Sequence, residues 1–258
     1  MNSQIQRWVR FAHAETTGFG TLEDDGIRVH AGNMFTNPEP SEQTLALEAV
    51  RLLMPAQPTK VIALWNNFAA LGDKLKLAVP AEPLYLLKPP NSFANPGDLI
   101  RKPRCEGKVV YEGELGIVIG RTATAVSEAT AMEYVFGYTC GNDVTVADIL
   151  NRDPSFAQWV RAKGFDTVCP MGAASATGLD ASTLVVKTTL SGELRQNYPI
   201  SDMRFSVPRL VSLISADMTL MPGDVILCGT SIGVGSMKAD CDVEVEIAGI
   251  GTLRNRFG

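Results

Sequence analysis

Histidine is nearly missing from this chain of 258 residues: His13 and His30 are the only two, both near the N-terminus. A multi-histidine metal site therefore has no support, and a serine or cysteine nucleophile has few partners to take its proton. The five cysteines (Cys105, Cys140, Cys169, Cys228 and Cys241) are odd in number and widely scattered, with no Cys-x-x-Cys pair. That argues against a disulfide framework and against a cysteine-zinc knuckle, and reads as reduced, mostly buried thiols. No apolar stretch approaches the ~20 residues of a membrane helix. The opening MNSQIQRWVRF lacks the basic-then-apolar order of a secretion signal. With a net charge of −5 and no basic run interleaved with aromatics, neither nucleic acid nor an anionic membrane is an expected partner. There is no phosphate loop or dinucleotide fingerprint; the glycines of SIGVGS, residues 231–236, read as a loop. The expectation is a cytoplasmic protein. Any chemistry it performs rests on carboxylates, lysines, backbone groups or a hard metal ion.

What is present is an ordinary globular composition, 45% hydrophobic and 20% charged. The length suits one large domain, alone or with a small one. Residues 4–35 alternate apolar and polar positions around the turn signals TTG and EDDG, and read as a small antiparallel meander. His13 and His30 fall in its strands and read as surface or structural histidines. Residues 36–59, rich in Pro, Ser, Thr and Gln, read as a linker with at most a short helix around Leu45 to Leu53. A boundary near Pro55–Thr59 divides a small N-terminal β domain with linker, 1–56, from a catalytic domain, 57–258. In the larger part KVIALW, PLYLLK, GELGIVIG, TLVVKTTLSGEL, DVILCGT and VEVEIAGIGTLRN are strand candidates between Pro/Gly/Asp turns. Ser127 is placed to cap a helix in SEATAMEYVFGY, and Ser206 one in SVPRLVSLISAD. The fold class is α+β, mostly β and largely antiparallel.

Within YEGELGIVIG, residues 111–120, Glu112 and Glu114 stand two apart at the head of an apolar run. On a strand they share a face, roughly 6–7 Å apart along the chain. Like charges at that spacing need a cation between them, a proton on one, or solvent around both. Magnesium-type ions take oxygen ligands and need few carboxylates. Asp143, after the Gly-Asn turn of GYTCGNDVTVAD, is the best third ligand, and Lys163, among the apolar residues of WVRAKGF, suits an anionic substrate oxygen. The same spacing recurs as Glu244 and Glu246 in VEVEI, where a solvated strand face is the simpler reading. Spacing alone therefore leaves the role of Glu112 and Glu114 open.

Several long segments in order resemble the fumarylacetoacetate hydrolase family: LYLLKPPNSF, YEGELGIVIGRTATAVSEATAMEYVFGYTCGNDVTVADI, WVRAKGFDTVCPMGA, MPGDVILCGTSIGVG and VEVEIAGIGTLRNR. The resemblance implies a mixed β-roll or sandwich with a small N-terminal β domain, assembled as a homodimer. It implies a magnesium or manganese ion, with calcium able to stand in within crystals, held by Glu112, Glu114 and Asp143. Lys163 falls on the family's active-site lysine, and Gly229 and Thr230 on its substrate-lining Gly-Thr. The implied substrates are small 2-oxo and 1,3-dicarbonyl acids, often from aromatic-ring catabolism.

The departures bear on the reaction. Many members carry Asn-Tyr-x-x-His-x-x-Glu after the first strand of the main domain, whose His–Glu pair activates water. In ALWNNFAALGDK that alignment puts Ala69 at the histidine and Gly72 at the glutamate, with Asp73 a substitute carboxylate. An Arg and a Gln that often follow the metal aspartate are replaced by Ala147 and Leu150. These losses point to a more apolar substrate tail. Three functions follow. The first, slightly favoured, is C–C cleavage of an acylpyruvate-like 2-oxo acid through a metal-stabilised enolate. The second is decarboxylation or keto–enol isomerisation of an unsaturated 2-oxo diacid, which needs no activated water. The third is a metal- or ligand-binding homologue without catalysis.

Overall fold

The computed structural model describes residues 4–24 and 26–258. The chain begins with β1 (Gln6–His13), β2 (Thr16–Glu23), β3 (Gly26–Asn33), β4 (Asn37–Leu45) and the short β5 (Arg51–Leu53). The first four form an antiparallel meander, and β5 pairs back onto β1. The expected meander is therefore present and longer than anticipated. Residues 36–59 are not the linker the composition suggested, because β4 and β5 lie within them. β4 is the edge of its sheet, with two prolines and mostly exposed side chains on both faces. An edge strand needs no apolar face and tolerates proline, so its sequence looks like a linker.

The next elements are β6 (Val61–Trp65), α1 (Ala69–Lys74), β7 (Leu84–Lys88), β8 (Phe93–Ala94), β9 (Leu99–Ile100), β10 (Val109–Tyr111) and β11 (Gly113–Ile119). They are followed by β12 (Val135–Asn142), β13 (Thr145–Val146), α2 (Ala147–Leu150), α3 (Trp159–Lys163) and β14 (Cys169–Thr177). The chain closes with β15 (Val185–Leu190), β16 (Glu193–Pro199), α4 (Val207–Asp217), β17 (Val225–Leu227), β18 (Gly235–Ser236), β19 (Cys241–Ile247) and β20 (Gly251–Phe257). Among the described residues the strands form three sheets, and the largest runs β4-β3-β2-β1-β14-β12-β11-β17-β6-β7. It is continuous from the meander into the rest of the chain through β1, which pairs with β14. A second sheet is ordered β16-β15-β19-β20-β9, and a small third one joins β13, β10 and β18. The mostly β, mixed α+β architecture expected from the sequence is the one observed. No helix among the described residues is long and apolar enough to cross a membrane.

The main core lies where Leu115, Ile117 and Ile119 of β11 meet Val186, Val245 and Ile247 of the second sheet and Leu210, Val211 and Ile214 of α4. That helix forms where SVPRLVSLISAD predicts it, with Pro208 tolerated in its first turn. The other expected helix is mostly absent. Residues Ala131–Tyr134 make one tight turn, and Val135, Phe136, Tyr138 and Thr139 then enter β12. β-Branched and aromatic residues paired on both sides, with β11 and β14, outweigh the weak helical preference of the preceding segment. Ser127 bonds through its hydroxyl to Thr130 instead of capping a long helix.

Candidate metal and substrate site

Glu114 points to the opposite face of β11 from Leu115, sharing it with Gly116 and Val118, as period-two geometry requires. Val118 packs there against Val61, Ala63, Val225 and Met171, with Trp159 of α3 at the margin. Glu112 lies just before β11, and its backbone is tied to the far end of β12. Its N–H donates to Asn142 Oδ1 at 2.9 Å, and its carbonyl accepts from Asp143 N–H at 2.9 Å. The β11–β12 register, Gly113 opposite Asn142, thus brings Asp143 beside both glutamates. Glu112, Glu114 and Asp143 each offer a carboxylate oxygen, and these oxygens lie within 4.8 Å of one another.

Lys163, the last residue of α3, enters this cluster. Its Nζ donates to Asp143 Oδ2 at 2.5 Å, Glu112 Oε2 at 2.7 Å and Thr145 Oγ1 at 2.7 Å. A second ammonium, from Lys88 at the end of β7, donates to Asp143 Oδ1 at 2.6 Å and to the Val168 carbonyl at 3.4 Å. The four expected residues are therefore together. Sequence reasoning missed Lys88 and Thr145, although a lysine ending an apolar strand before two prolines in LYLLKPP was a signal of an interior position.

Gly229 and Thr230, also expected here, line the same cluster from the end of β17. The Gly229 N–H donates to Glu114 Oε2 at 2.8 Å, and Gly229 itself has φ +86°, the left-handed region that favours glycine. Thr230 Oγ1 donates to the Gly113 carbonyl at 3.0 Å. That carbonyl also accepts from Tyr198 Oη at 2.5 Å, while the Gly113 N–H donates to Gln196 Oε1 at 3.0 Å. Two side chains of β16 and one threonine thus fix the peptide between the two glutamates.

Burial decides the electrostatics. Glu114 and Asp143 have no accessible surface, while Glu112 and Thr230 keep 8% each, so solvent touches the cluster on that side. Burial, with Asp143 nearby, pushes the Glu114 carboxyl well above its ordinary value. Burial raises Glu112 as well, against the pull of Lys163. Burial also works to raise Asp143, but Lys163 and Lys88 together outweigh it and hold that carboxyl below its ordinary value. Burial would lower Lys163, yet Asp143, Glu112 and Glu114 reverse the direction and keep it an ammonium. If all five groups are ionised, three carboxylates face two ammoniums and leave one negative charge. The Oε1 of Glu114 is buried with no hydrogen-bond partner among the described residues. A stranded carboxylate oxygen inside a set of converging hard oxygen donors is the arrangement a magnesium-like cation fits.

The positions of the family's His–Glu pair fall on α1, which carries no histidine. Ala69 opens the helix, Gly72 is buried in it, and Asp73 has a side chain 76% exposed. His30 lies in β3 against Trp8 and bonds Thr21, and His13 ends β1. Ala147 and Leu150 sit on α2, with Leu150 packed against a separate apolar cluster. Glu244 and Glu246, the pair with the same spacing, lie on the outer face of β19 and meet Arg254 at 3.1 Å and Lys187 at 3.9 Å. All five cysteines are free, and four are buried.

Comparison with known proteins adds a family. The profile described as fumarylacetoacetate (FAA) hydrolase C-terminal matches residues 60–258, and one described as Rv2993c-like, N-terminal matches residues 6–55. A crystal structure of 5-carboxymethyl-2-hydroxymuconate delta-isomerase from Mycobacterium smegmatis is 40% identical. It superposes with a TM-score of 0.89 over 97% of this chain and 98% of that one. Oxaloacetate tautomerase YisK of Bacillus subtilis is 40% identical over 158 residues, 57% of this chain and 52% of the tautomerase. The 4-hydroxyphenylacetate degradation bifunctional isomerase/decarboxylase of Salmonella dublin is 41% identical over 150 residues, 57% of this chain and 34% of that protein.

Proposed function

Because this chain belongs to the fumarylacetoacetate hydrolase family, we propose that it is a divalent-metal-dependent enzyme that interconverts the keto and enol forms of a small 2-oxo acid. Decarboxylation of such an acid would pass through the same enolate. The observation that carries the reading is the buried convergence of Glu112, Glu114 and Asp143 around an unpartnered Glu114 oxygen, with Lys163 bridging two of the carboxylates. These three residues would hold magnesium or manganese. When bound, such an ion supplies a Lewis acid for the carboxylate and 2-oxo oxygens of the substrate.

The chain's own groups do the rest. Lys163 Nζ stays protonated and places a fixed positive charge where an enolate oxygen gains electron density. Lys88 grips the other oxygen of Asp143, so that carboxylate keeps its orientation and its charge. Gly229 N–H orients Glu114, and Gln196, Tyr198 and Thr230 hold the strand on which both glutamates depend.

Relatives bearing the names delta-isomerase, tautomerase and isomerase/decarboxylase favour this chemistry. C–C hydrolysis ranks second, because it needs a base to activate water and α1 offers alanine, glycine and a solvent-facing aspartate. The reading includes substrates from aromatic catabolism, a small N-terminal β domain over 1–56 and a homodimer, as the family resemblance implies, and a cytoplasmic location, as the sequence pattern suggests. The test is to supply enol oxaloacetate and an acylpyruvate with Mg²⁺ or Mn²⁺, following the enol absorbance, carbon dioxide and pyruvate. Accelerated ketonisation or decarboxylation that Glu114→Ala abolishes supports the proposal. Pyruvate released from the acylpyruvate would move the protein to the hydrolases, and inertness toward every substrate would leave a binding homologue.

A further inference from the structure

The buried position on α1 where the family pattern expects a glutamate is Gly72, and the space beside it holds a guanidinium. A Cβ added at Gly72 would stand 2.4 Å from Arg204 Nη2 and 2.6 Å from Asn66 Oδ1. Glycine is what lets Arg204 lie against the helix. The Arg204 side chain is only 10% exposed, and its Nε is buried with no hydrogen-bond partner. Among the described residues its one ionic contact is a long one, Nη2 to Asp73 Oδ1 at 3.4 Å, to a carboxylate that itself stands in solvent. Asn66 Oδ1 is likewise buried without a partner, while its Nδ2 is committed to the Ala78 carbonyl at 2.9 Å. A guanidinium offers five N–H donors in a planar fork suited to carboxylates. Here the Nε–H is unspent in a place largely closed to water, and Nη2 meets only the solvent-facing Asp73.

The backbone that carries this guanidinium is tied to the segment beside the carboxylate cluster. Arg204 N–H donates to the Asn67 carbonyl at 2.7 Å, and Phe205 N–H to Asn67 Oδ1 at 3.0 Å. Asn67 Nδ2 in turn donates to the Cys228 carbonyl at 2.8 Å, and its Cβ lies 3.5 Å from a Cβ built on Gly229. Gly229 is the residue that binds Glu114. Asn67 thus ties the Arg204 backbone to the backbone lining the metal-type site.

We infer that Arg204 binds a second carboxylate of the substrate, so that the enzyme selects 2-oxo diacids over 2-oxo monoacids. The inference rests on the proposed enolising site, which would take the 2-oxo carboxylate end. The distal carboxylate displaces the exposed Asp73 and takes the free Nε–H and Nη–H fork. The polar tail that results is the opposite of the apolar one suggested by Ala69, Ala147 and Leu150. Specificity of this kind comes from a buried donor set that an uncharged tail would leave unpaired.

The experiment compares wild type, Arg204→Gln and Arg204→Lys, each loaded with Mn²⁺. The substrates are oxaloacetate and phenylpyruvate, an enolisable monoacid. Melting of each protein is also followed with added malonate, a dicarboxylate without a 2-oxo group, and with acetate. Arg204→Gln is expected to raise KM for oxaloacetate roughly 10- to 100-fold, the scale of hydrogen bonds to a charged group. The monoacid KM should stay within about twofold, and Arg204→Lys should recover part of the loss. Malonate should stabilise wild type more than Arg204→Gln. Equal losses on both substrates would make Arg204 a structural support of α1 and overturn the inference. So would a wild type that treats both acids alike. If no enolisation is seen in wild type but malonate still distinguishes it from Arg204→Gln, the carboxylate site stands and the proposed reaction falls.

Discussion

Gly113 is the single residue between the two glutamates, and Gly113→Ala tests whether the strand that carries them is as tightly held as its contacts say. A Cβ at 113 would stand 2.0 Å from Thr188 Oγ1 and 3.3 Å from both Thr188 Cβ and Gln196 Oε1. Thr188 cannot retreat, because it is buried in the middle of β15 and paired to Gln196 on one side and Val245 on the other. Relief must come from turning a β-branched side chain or from pulling β11 away from Gln196. Overpacking of this kind costs about 1–3 kcal/mol. Losing the Gly113–Gln196 hydrogen bond adds about 1 kcal/mol. The expected total of about 2–4 kcal/mol corresponds to a melting temperature lowered by roughly 5–15 °C. Mn²⁺ affinity, measured by calorimetry, should fall with it. Thr188→Ala alone should be nearly neutral, since the methyl it removes is offset by deleting a buried hydroxyl that has no partner. Combined with Gly113→Ala it should recover at least about 1 kcal/mol relative to the sum of the single changes. A Gly113→Ala protein that melts like wild type, or strict additivity in the double variant, would refute the reasoning.

Two further outcomes follow from the same cluster. Lys88→Met leaves Asp143 Oδ1 without its buried partner and should destabilise by about 3–5 kcal/mol in urea titrations; a wild-type midpoint would mean that Asp143 is held by Lys163 alone. Mn²⁺ at a hundred times its dissociation constant should stabilise wild type by about 2.7 kcal/mol. Glu114→Gln removes a ligand charge and should abolish that gain in a thermal melt, and a shift that persists would place the ion elsewhere.

Two local patterns with the same spacing show how far sequence reaches. Glu112/Glu114 and Glu244/Glu246 are each Glu-x-Glu at a β-strand, and nothing in the spacing separates them. What separates them is the layer above. On β11 that face is covered by hydrophobic residues of neighbouring strands and by α3, and the carboxylates must find Lys163 or a cation. On β19 the outer face meets Arg254 and Lys187 at half-exposed positions. The distinction was legible only through Asp143, Lys163 and the longer segments that resemble a family. Lys88 left a trace in LYLLKPP, but Gln196, Tyr198 and Arg204 were not legible, because each acts on a partner about 80 or more residues away in sequence, joined only by sheet pairing or loop packing. The edge strand β4 was missed for a different reason, since it buries no face and so has no apolar period to read.

The charged cluster is poor material for stability. Three carboxylates and two ammoniums taken out of water lose several kcal/mol each in hydration, and apolar residues of the same volume commonly do as well or better. Their mutual contacts do not even use every acceptor, since Glu114 Oε1 is left without a partner among the described residues. The chain nevertheless invests Asn142, Thr145, Gln196, Tyr198, Thr230 and a left-handed glycine in holding them still. Packing that costs stability yet is held this rigidly makes sense where the geometry of the oxygens is itself the product. A divalent cation at the open Glu114 oxygen would supply the missing partner and more than offset the surplus negative charge, leaving a positive site for an anionic substrate. The Arg204 fork follows the same logic: its buried Nε–H has no partner among the described residues and its charge partner Asp73 stands in solvent, so an arriving carboxylate would complete what folding leaves unfinished.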